Sequence, residues 1–223
     1  MLLFALPPRL TVTKQLGLSL LVGTWAILVY GIAGQISSEL DPALLQISAW
    51  DRAVPFVPWT FWVYFSVNFI YLASCALQKP DERFQRFLLG YFSAYLISAV
   101  WFVVVPTTFP RELYPLPEST DAFTRLAMTW FRSVDHPSNC LPSMHVASSV
   151  MSTLPLYKKS RRVFALFFVW AVSIAFTTLT TKQHYLVDVL AGGAFGVTVH
   201  LLAQHLRIPT KNAGTTNEKA PDH

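Results

Sequence analysis

Two short runs of this chain hold the residue types that can move a proton or attack phosphorus. The first is Cys140-Leu141-Pro142-Ser143-Met144-His145. The second is Thr180-Thr181-Lys182-Gln183-His184-Tyr185-Leu186-Val187-Asp188, followed by Ala191-Gly192-Gly193. In the first, Pro142 suits the opening turn of a helix, where its missing N–H leaves no bond unmade. The free amides of that turn, that of Met144 among them, and the Ser143 hydroxyl then offer a seat for an anion such as phosphate. His145 follows with an imidazole able to take or give a proton near neutral pH. In the second run, His184 and Asp188 are four apart, so they share one helix face. A carboxylate there can fix the tautomer of the ring and leave its other nitrogen free as a nucleophile. Lys182 adds positive charge at the same point. Either run alone also fits a plain interfacial histidine or a chance spacing, so the elements that carry them must bring them together.

Those elements are set by solvent. The chain has 223 residues, of which 53% are hydrophobic and 13% charged, and its mean hydropathy is +0.42. That much apolar surface cannot be hidden in one soluble core and needs lipid. A helix crosses the hydrocarbon with ~20 mostly apolar residues. The stretches 16–33, 56–77, 87–105, 163–181 and 185–206 qualify without an internal Lys or Arg. A sixth, 143–156, is shorter and more polar, but the chain must return from a long loop to the basic run Lys158-Lys159-Ser160-Arg161-Arg162. The expected fold is therefore all-α: an integral membrane bundle of six transmembrane helices spanning 1–207, with 208–223 as a polar, disordered cytoplasmic tail. The amino-terminal span lacks a small-residue cleavage site and reads as an anchor that stays.

Orientation follows from the basic residues, which collect on the cytoplasmic side. With the amino terminus inside, that side holds Arg9, Lys14, Lys79, Arg83, Arg86, Lys158, Lys159, Arg161, Arg162, Arg207, Lys211 and Lys219. Arg52, Arg111, Arg125, Arg132 and Lys182 fall outside, and so do both histidine runs. The positive net charge therefore reports topology and not nucleic acid, since no basic stripe with interleaved aromatics exists. The long outer connection, 106–141, contains a helix start at Ser119-Thr120-Asp121. Phe123, Leu126, Ala127, Trp130 and Phe131 follow at helical spacing. This predicts an extracytoplasmic amphipathic helix, lying in the interface or capping the spans. Residues 39–52 are a second candidate of the same kind. Cys75 and Cys140 fall near opposite membrane faces, so no disulfide is expected. His200 and His205 lie ~24 Å or more along the last helix from His184 and read as packing or interface residues.

The pattern Pro142-Ser143-Met144-His145, with His184-Tyr185-Leu186-Val187-Asp188 and six spans, resembles the type-2 phosphatidic acid phosphatase superfamily. The resemblance implies that His184 is the nucleophile and forms a phosphohistidine, that Asp188 orients it, and that His145 protonates the leaving group. It implies no metal and no cofactor. Three departures stand out. Met144 replaces a common Gly, though its amide can still serve. Thr178 stands where an Arg is usual, leaving Lys182 to supply charge. Lys79 to Arg86 fits the spacing of the family's basic element, but topology sets it a bilayer of ~30 Å from the histidines. Arg111, just beyond the third span, is the better phosphate clamp. With Met144 and Lys182 it gives the chain the style of the inositol phosphorylceramide synthase branch and its bacterial relatives.

The expected activity is thus a lipid-phosphate phosphatase acting on a phosphoric monoester or pyrophosphate at the extracytoplasmic face, with the bacterial inner membrane as its expected home. Its partners are a lipid phosphate substrate and the bilayer. A lipid phosphotransferase would use the same residues. A non-enzymatic protein binding metal or haem through paired histidines is a third reading, which leaves Asp188 and the Pro-Ser lead-in unexplained. The charge asymmetry makes a direct prediction: a cysteine placed at Glu118 is labelled by a membrane-impermeant reagent in intact cells, and one at Ser160 is not. Reversed labelling would put the histidines on the cytoplasmic side.

Overall fold

The structure, a computed structural model, describes residues 10–206. The elements run α1 (Val12–Ser38), β1 (Ala43–Leu44), α2 (Ala49–Ala53), α3 (Phe61–Phe65), α4 (Val67–Leu77), α5 (Glu82–Val104), β2 (Thr107–Thr108), α6 (Ala122–Val134), α7 (Met144–Thr153), α8 (Arg161–Thr180) and α9 (Leu186–Gln204). Polar residues set the helix starts. Thr11 accepts from the Lys14 amide ahead of α1, Asp81 from the Arg83 and Phe84 amides ahead of α5, and Asp121 from the Thr124 amide ahead of α6. Each satisfies donors that a helix leaves open at its first turn. The expected tail and the basic residues Arg9, Arg207, Lys211 and Lys219 lie outside the described residues.

Among the described residues, five helical segments are long and apolar enough to cross a membrane: Val12–Ser38, Pro58–Leu77, Glu82–Val104, Arg161–Thr180 and Leu186–Gln204. They match the five stretches read from sequence. Their outward faces expose Leu20, Ile27, Val100, Val169, Leu190 and Leu202, an apolar surface that only lipid can cover. The chain is an integral membrane protein. The second segment is not one rod: a 3-10 turn at Pro58–Thr60 leads into α3, and α3 and α4 meet at Ser66. There the Ser66 hydroxyl donates to Val63 O and accepts from Trp170 Nε1 at 2.7 Å, which fixes the break against α8.

The sixth expected span takes a different form. α7 has ten residues, continued by a 3-10 helix at Leu154–Lys158, so it reaches ~15 Å as α-helix and ~10 Å further as 3-10 helix. It sits in the middle of the bundle, against α4, α5, α8 and α9, with Met144, Val146, Ala147, Ser148, Ser149, Met151, Ser152 and Thr153 buried. A helix enclosed by protein needs no lipid-facing apolar stripe, which is why its serines are tolerated. Hydroxyls of Ser149 and Thr153 donate within the helix, to His145 O and Ser149 O, and the Ser152 carbonyl accepts from Ser74 of α4.

Two glycines let α9 reach that central helix. A Cβ on Gly192 would lie 2.3 Å from the Ser143 carbonyl oxygen, and one on Gly196 would lie 2.6 Å from that of Ala147. The four-residue spacing repeats along both helices, so the backbones touch over a full turn, as small residues permit between membrane helices. Ser143 N also donates to Asp188 O at 3.1 Å. The start of α7 is thereby bound to the start of α9.

The connections at this end are ordered. β1 pairs in parallel with β2, and Ser48 and Asp51 form a capping box on α2, so residues 39–52 do not make the continuous amphipathic helix that was the second candidate. A helix does form in the long connection, α6, but its apolar residues divide. Phe123, Leu126 and Trp130 are exposed, whereas Met128 is buried and Ala127 and Phe131 pack with it against Phe61 and Tyr64.

The glycine contacts predict that Gly192→Ala lowers the melting temperature in detergent and the activity together, with a loss of about 1–3 kcal/mol typical of an overpacked interior. Gly193→Ala, which meets nothing within 4 Å, is the matched control and should be near neutral. Equal behaviour of the two would remove the close contact as a determinant.

Candidate active site

His145 is carried into the site by the first turn of α7, directly after the buried Ser143. Its ring lies in an aromatic box. Tyr30 and Phe131 approach edge-on at 6.1 and 6.3 Å between centroids, and the Tyr64 hydroxyl is 2.8 Å from Nε2. Tyr64 is fully buried, so the hydroxyl depends on this imidazole for its bond and in turn limits how the ring can rotate.

His184 comes from the connection between α8 and α9, and its ring centroid is 5.8 Å from that of His145. Lys182 takes a left-handed φ of 54° just ahead of it, an uncommon conformation for a residue with a Cβ, and the turn it makes swings His184 back over the start of α9. His184 Nδ1 is 3.4 Å from Asp188 Oδ2, slightly beyond a formed N–H···O bond. The same oxygen accepts from the Tyr185 amide at 2.8 Å and from the Cys140 thiol at 2.8 Å. Oδ1 of Asp188 is buried without a partner. Burial, and then the neighbouring Asp188 carboxylate, hold the Cys140 thiol well above its ordinary pKa. Both cysteines are free.

Arg111 lies just beyond β2 and is nearly buried. Its guanidinium pairs with Asp135, through Nη2 to Oδ2 at 2.6 Å and through Nη1 to the backbone carbonyl. Burial alone would raise the pKa of Asp135, but the Arg111 charge outweighs it and holds the carboxyl below its ordinary range. Burial would likewise lower Arg111, and Asp135 more than offsets this. Nε of Arg111 has no partner, and neither do Nε and Nη2 of Arg132. Burial, followed by the nearby Arg111, draws Arg132 down to about 10. Ser143 Oγ is also buried and unpaired, at the mouth of α7. Buried donors without protein partners are candidates to bind an anion.

The remaining expected residues are placed otherwise. Lys182 Nζ donates to the carbonyls of Asp51 and Val54, at 2.9 and 2.5 Å, and lies 5.0 Å from the centre of the Tyr114 ring. Two of its three donors thus hold α2 and not a free anion. The Met144 side chain is buried against Ser98 of α5, which leaves its amide as the group facing the site end of α7. Arg86 pairs with Glu82 toward the far end of α5, ~27 Å of helix from the end that leads to Arg111. His200 bonds Gln204 on its own helix face.

The family model described as the PAP2 superfamily matches residues 45–202, a stretch that contains both histidines, Asp188 and Arg111. The chain belongs to the PAP2 superfamily. No curated protein matches it. Membership in the PAP2 superfamily supports chemistry of the phosphatase or phosphotransferase type.

Sequence reading had missed Tyr64, Asp135 and the contact of Cys140 with Asp188. Tyr64 lies inside an aromatic span, where nothing separates it from packing residues. Asp135 offered one usable signal: an acidic residue five before Cys140, in a segment otherwise heading into the membrane. Because its folded pKa is depressed, its stabilising contribution is present above the unfolded carboxylate value of ~3.9 and is lost as pH falls through the folded value. Asp135→Asn should therefore lower the melting temperature at pH 7, with a stability loss of about 3–5 kcal/mol for a broken buried pair, and flatten the acid side of the stability curve. An unchanged melt at neutral pH would remove the pair from the account.

Proposed function

We propose that this protein is a metal-independent lipid-phosphate phosphatase, hydrolysing a phosphoric monoester or pyrophosphate through a phosphohistidine, with its site at the extracytoplasmic face. The observation that carries the reading is the meeting of His145, from α7, with the His184–Asp188 pair at the start of α9, at 5.8 Å between rings. His184 attacks through Nε2, since Asp188 faces Nδ1. The P–O bond to the lipid breaks as the N–P bond forms, and His145 gives its proton to the departing oxygen. Water then attacks the phosphohistidine, with His145 taking the proton back, and inorganic phosphate leaves. Arg111, Ser143 and the amides of Met144 and its neighbours hold the phosphoryl charge, and Lys182 contributes field at longer range while bracing the turn. α7 with its 3-10 continuation serves as the sixth crossing, kept short because protein encloses it.

A transferase reading is favoured by one feature: His184 and Asp188 are only 4% and 0% exposed, and Phe131 of α6 packs beside His145. A site covered in this way can hold water away from the phosphohistidine until an alcohol arrives.

His184→Ala should abolish turnover and the acid-labile phosphoenzyme seen by mass spectrometry. His145→Ala should still form phosphoenzyme slowly from substrates with good leaving groups. Arg111→Ala should cost about 2–4 kcal/mol in the rate per folded molecule, and Arg86→Ala almost nothing. Chelators should not abolish activity. Turnover that disappears with EDTA and returns with a divalent ion would overturn the mechanism. Phosphate that is released only when inositol or glycerol is added, with a new phosphoester formed, would replace the phosphatase by the transferase.

A further inference from the structure

Behind His184 the Cys140 thiol, the Nδ1 nitrogen and the Asp188 carboxylate converge. Sγ is 2.8 Å from Oδ2, Nδ1 is 3.4 Å from Oδ2, and Sγ is 3.8 Å from Nδ1. All three residues are buried, and one ligand atom from each lies within 4.8 Å of the others. Asp188 Oδ1 has no partner at all. Around a tetrahedral zinc-type ion with bonds of ~2.0–2.3 Å, ligand atoms stand roughly 3.3–3.7 Å apart. Only the thiol–carboxylate contact has to open, by less than ~1 Å on the same geometry. Sulfur, imidazole and carboxylate together suit a thiophilic ion and not magnesium or calcium.

We propose that Cys140, His184 and Asp188 form an inhibitory site for a thiophilic divalent cation of the zinc class. Binding itself rests on this geometry alone, whereas the inhibition rests on the reading of His184 as nucleophile. As the ion binds, the thiol loses its proton and forms the Sγ–metal bond, and the ion displaces the proton of Nδ1. The neutral ring then carries its proton on Nε2. One proton is released in total, and no oxidation occurs. The nitrogen that would attack phosphorus no longer has a lone pair to offer, and Asp188 is held by the ion instead of orienting the ring. Nearby charge does not forbid the ion, because the Arg111 guanidinium is already paired with Asp135. The fourth position stays open.

Cobalt(II), added to the purified full chain in detergent, is the probe. One equivalent should produce a near-ultraviolet thiolate-to-cobalt charge-transfer band that zinc bleaches, and zinc should inhibit turnover reversibly on adding EDTA. In Cys140→Ser the band should vanish and the inhibitory zinc concentration should rise at least roughly tenfold, each rate being referred to that variant's own uninhibited value. Cys75→Ser should keep the band. Wild-type protein provides a test independent of variant folding: zinc should slow the reaction of Cys140 with a small thiol reagent. No charge-transfer band at saturating cobalt, zinc inhibition unchanged in Cys140→Ser, or a thiol that zinc does not protect would each overturn the proposal. A band in a protein whose turnover survives His184→Ala would leave the metal site standing and remove the phosphohistidine. Turnover that needs His184, with no band, would do the reverse.

Discussion

The Ser143 carbonyl occupies the space where any side chain on residue 192 would be. This one steric fact organises the site. Because Gly192 and Gly196 leave room, the backbone of α9 lies directly on that of α7, and the two helix starts share a hydrogen bond from Ser143 N to Asp188 O. His145 projects from the first turn on one side of this contact, and Asp188 stands on the other with His184 turned back toward it. A wider separation would leave the two imidazoles on neighbouring helices without a common substrate atom. The remaining helices are arranged to keep α7 central: α4, α5 and α8 enclose it, and α1 packs outside α5.

Enclosure changes what the interior can contain. A serine-rich helix facing lipid would expose polar groups to hydrocarbon, but inside the bundle hydroxyls of α7 find carbonyls of their own helix and an α7 carbonyl accepts from Ser74 of α4. Unpaired groups remain along the bundle, Trp25 Nε1, Arg86 Nε and Ser152 Oγ among them. Ser143 Oγ, Arg111 Nε, two donors of Arg132 and Asp188 Oδ1 are buried without partners, and each such group costs about 1–3 kcal/mol relative to a satisfied one. A fold that tolerates several of them within one region is held together elsewhere, by the apolar packing of Tyr71, Phe84, Phe87, Tyr91 and their neighbours toward the other end.

Much of this was legible from the residues. Hydropathy located five spans to within a few residues, because length and apolarity are the same constraint that lipid imposes. The Pro-Ser-x-His and His-x-x-x-Asp spacings picked out His145, His184 and Asp188, although His184 lies ahead of α9 and meets Asp188 through the turn at Lys182 and not by sharing a helix face with it. The shortness of α7 was visible as polarity, but not its central position, which depends on Gly192 and Gly196 meeting a particular carbonyl across the bundle. Lys182 illustrates the limit most clearly. Its charge and position suggested a phosphate ligand, yet its ammonium is taken up by two carbonyls at the end of α2, a partner 128 and 131 residues away that no local pattern announces. Asp135 was hidden for the same reason: its meaning comes from Arg111, 24 residues earlier.

α6 shows how one short sequence can meet two demands. Helical spacing grouped Phe123, Leu126, Ala127, Trp130 and Phe131 into a single apolar face, which forced a choice between seating in the interface and closing over the bundle. In the structure the face is wide enough to divide. Ala127, Met128 and Phe131 point inward, where Phe131 contacts both Tyr64 and the His145 ring, while Phe123, Leu126 and Trp130 remain more than half exposed. Phe123 is stacked on Trp62 at 4.7 Å, and Trp62 Nε1 donates to Thr124 Oγ1, so the outward face is anchored to the start of the second segment and does not swing free. The inner edge therefore covers His145 at the same time as the outer edge offers apolar surface to whatever surrounds this end of the bundle. Any displacement of the outer edge moves Phe131 relative to the imidazole. The cover over the site and the seat of the helix are one rigid body, and the two roles that the sequence presented as alternatives are mechanically the same contact viewed from opposite sides.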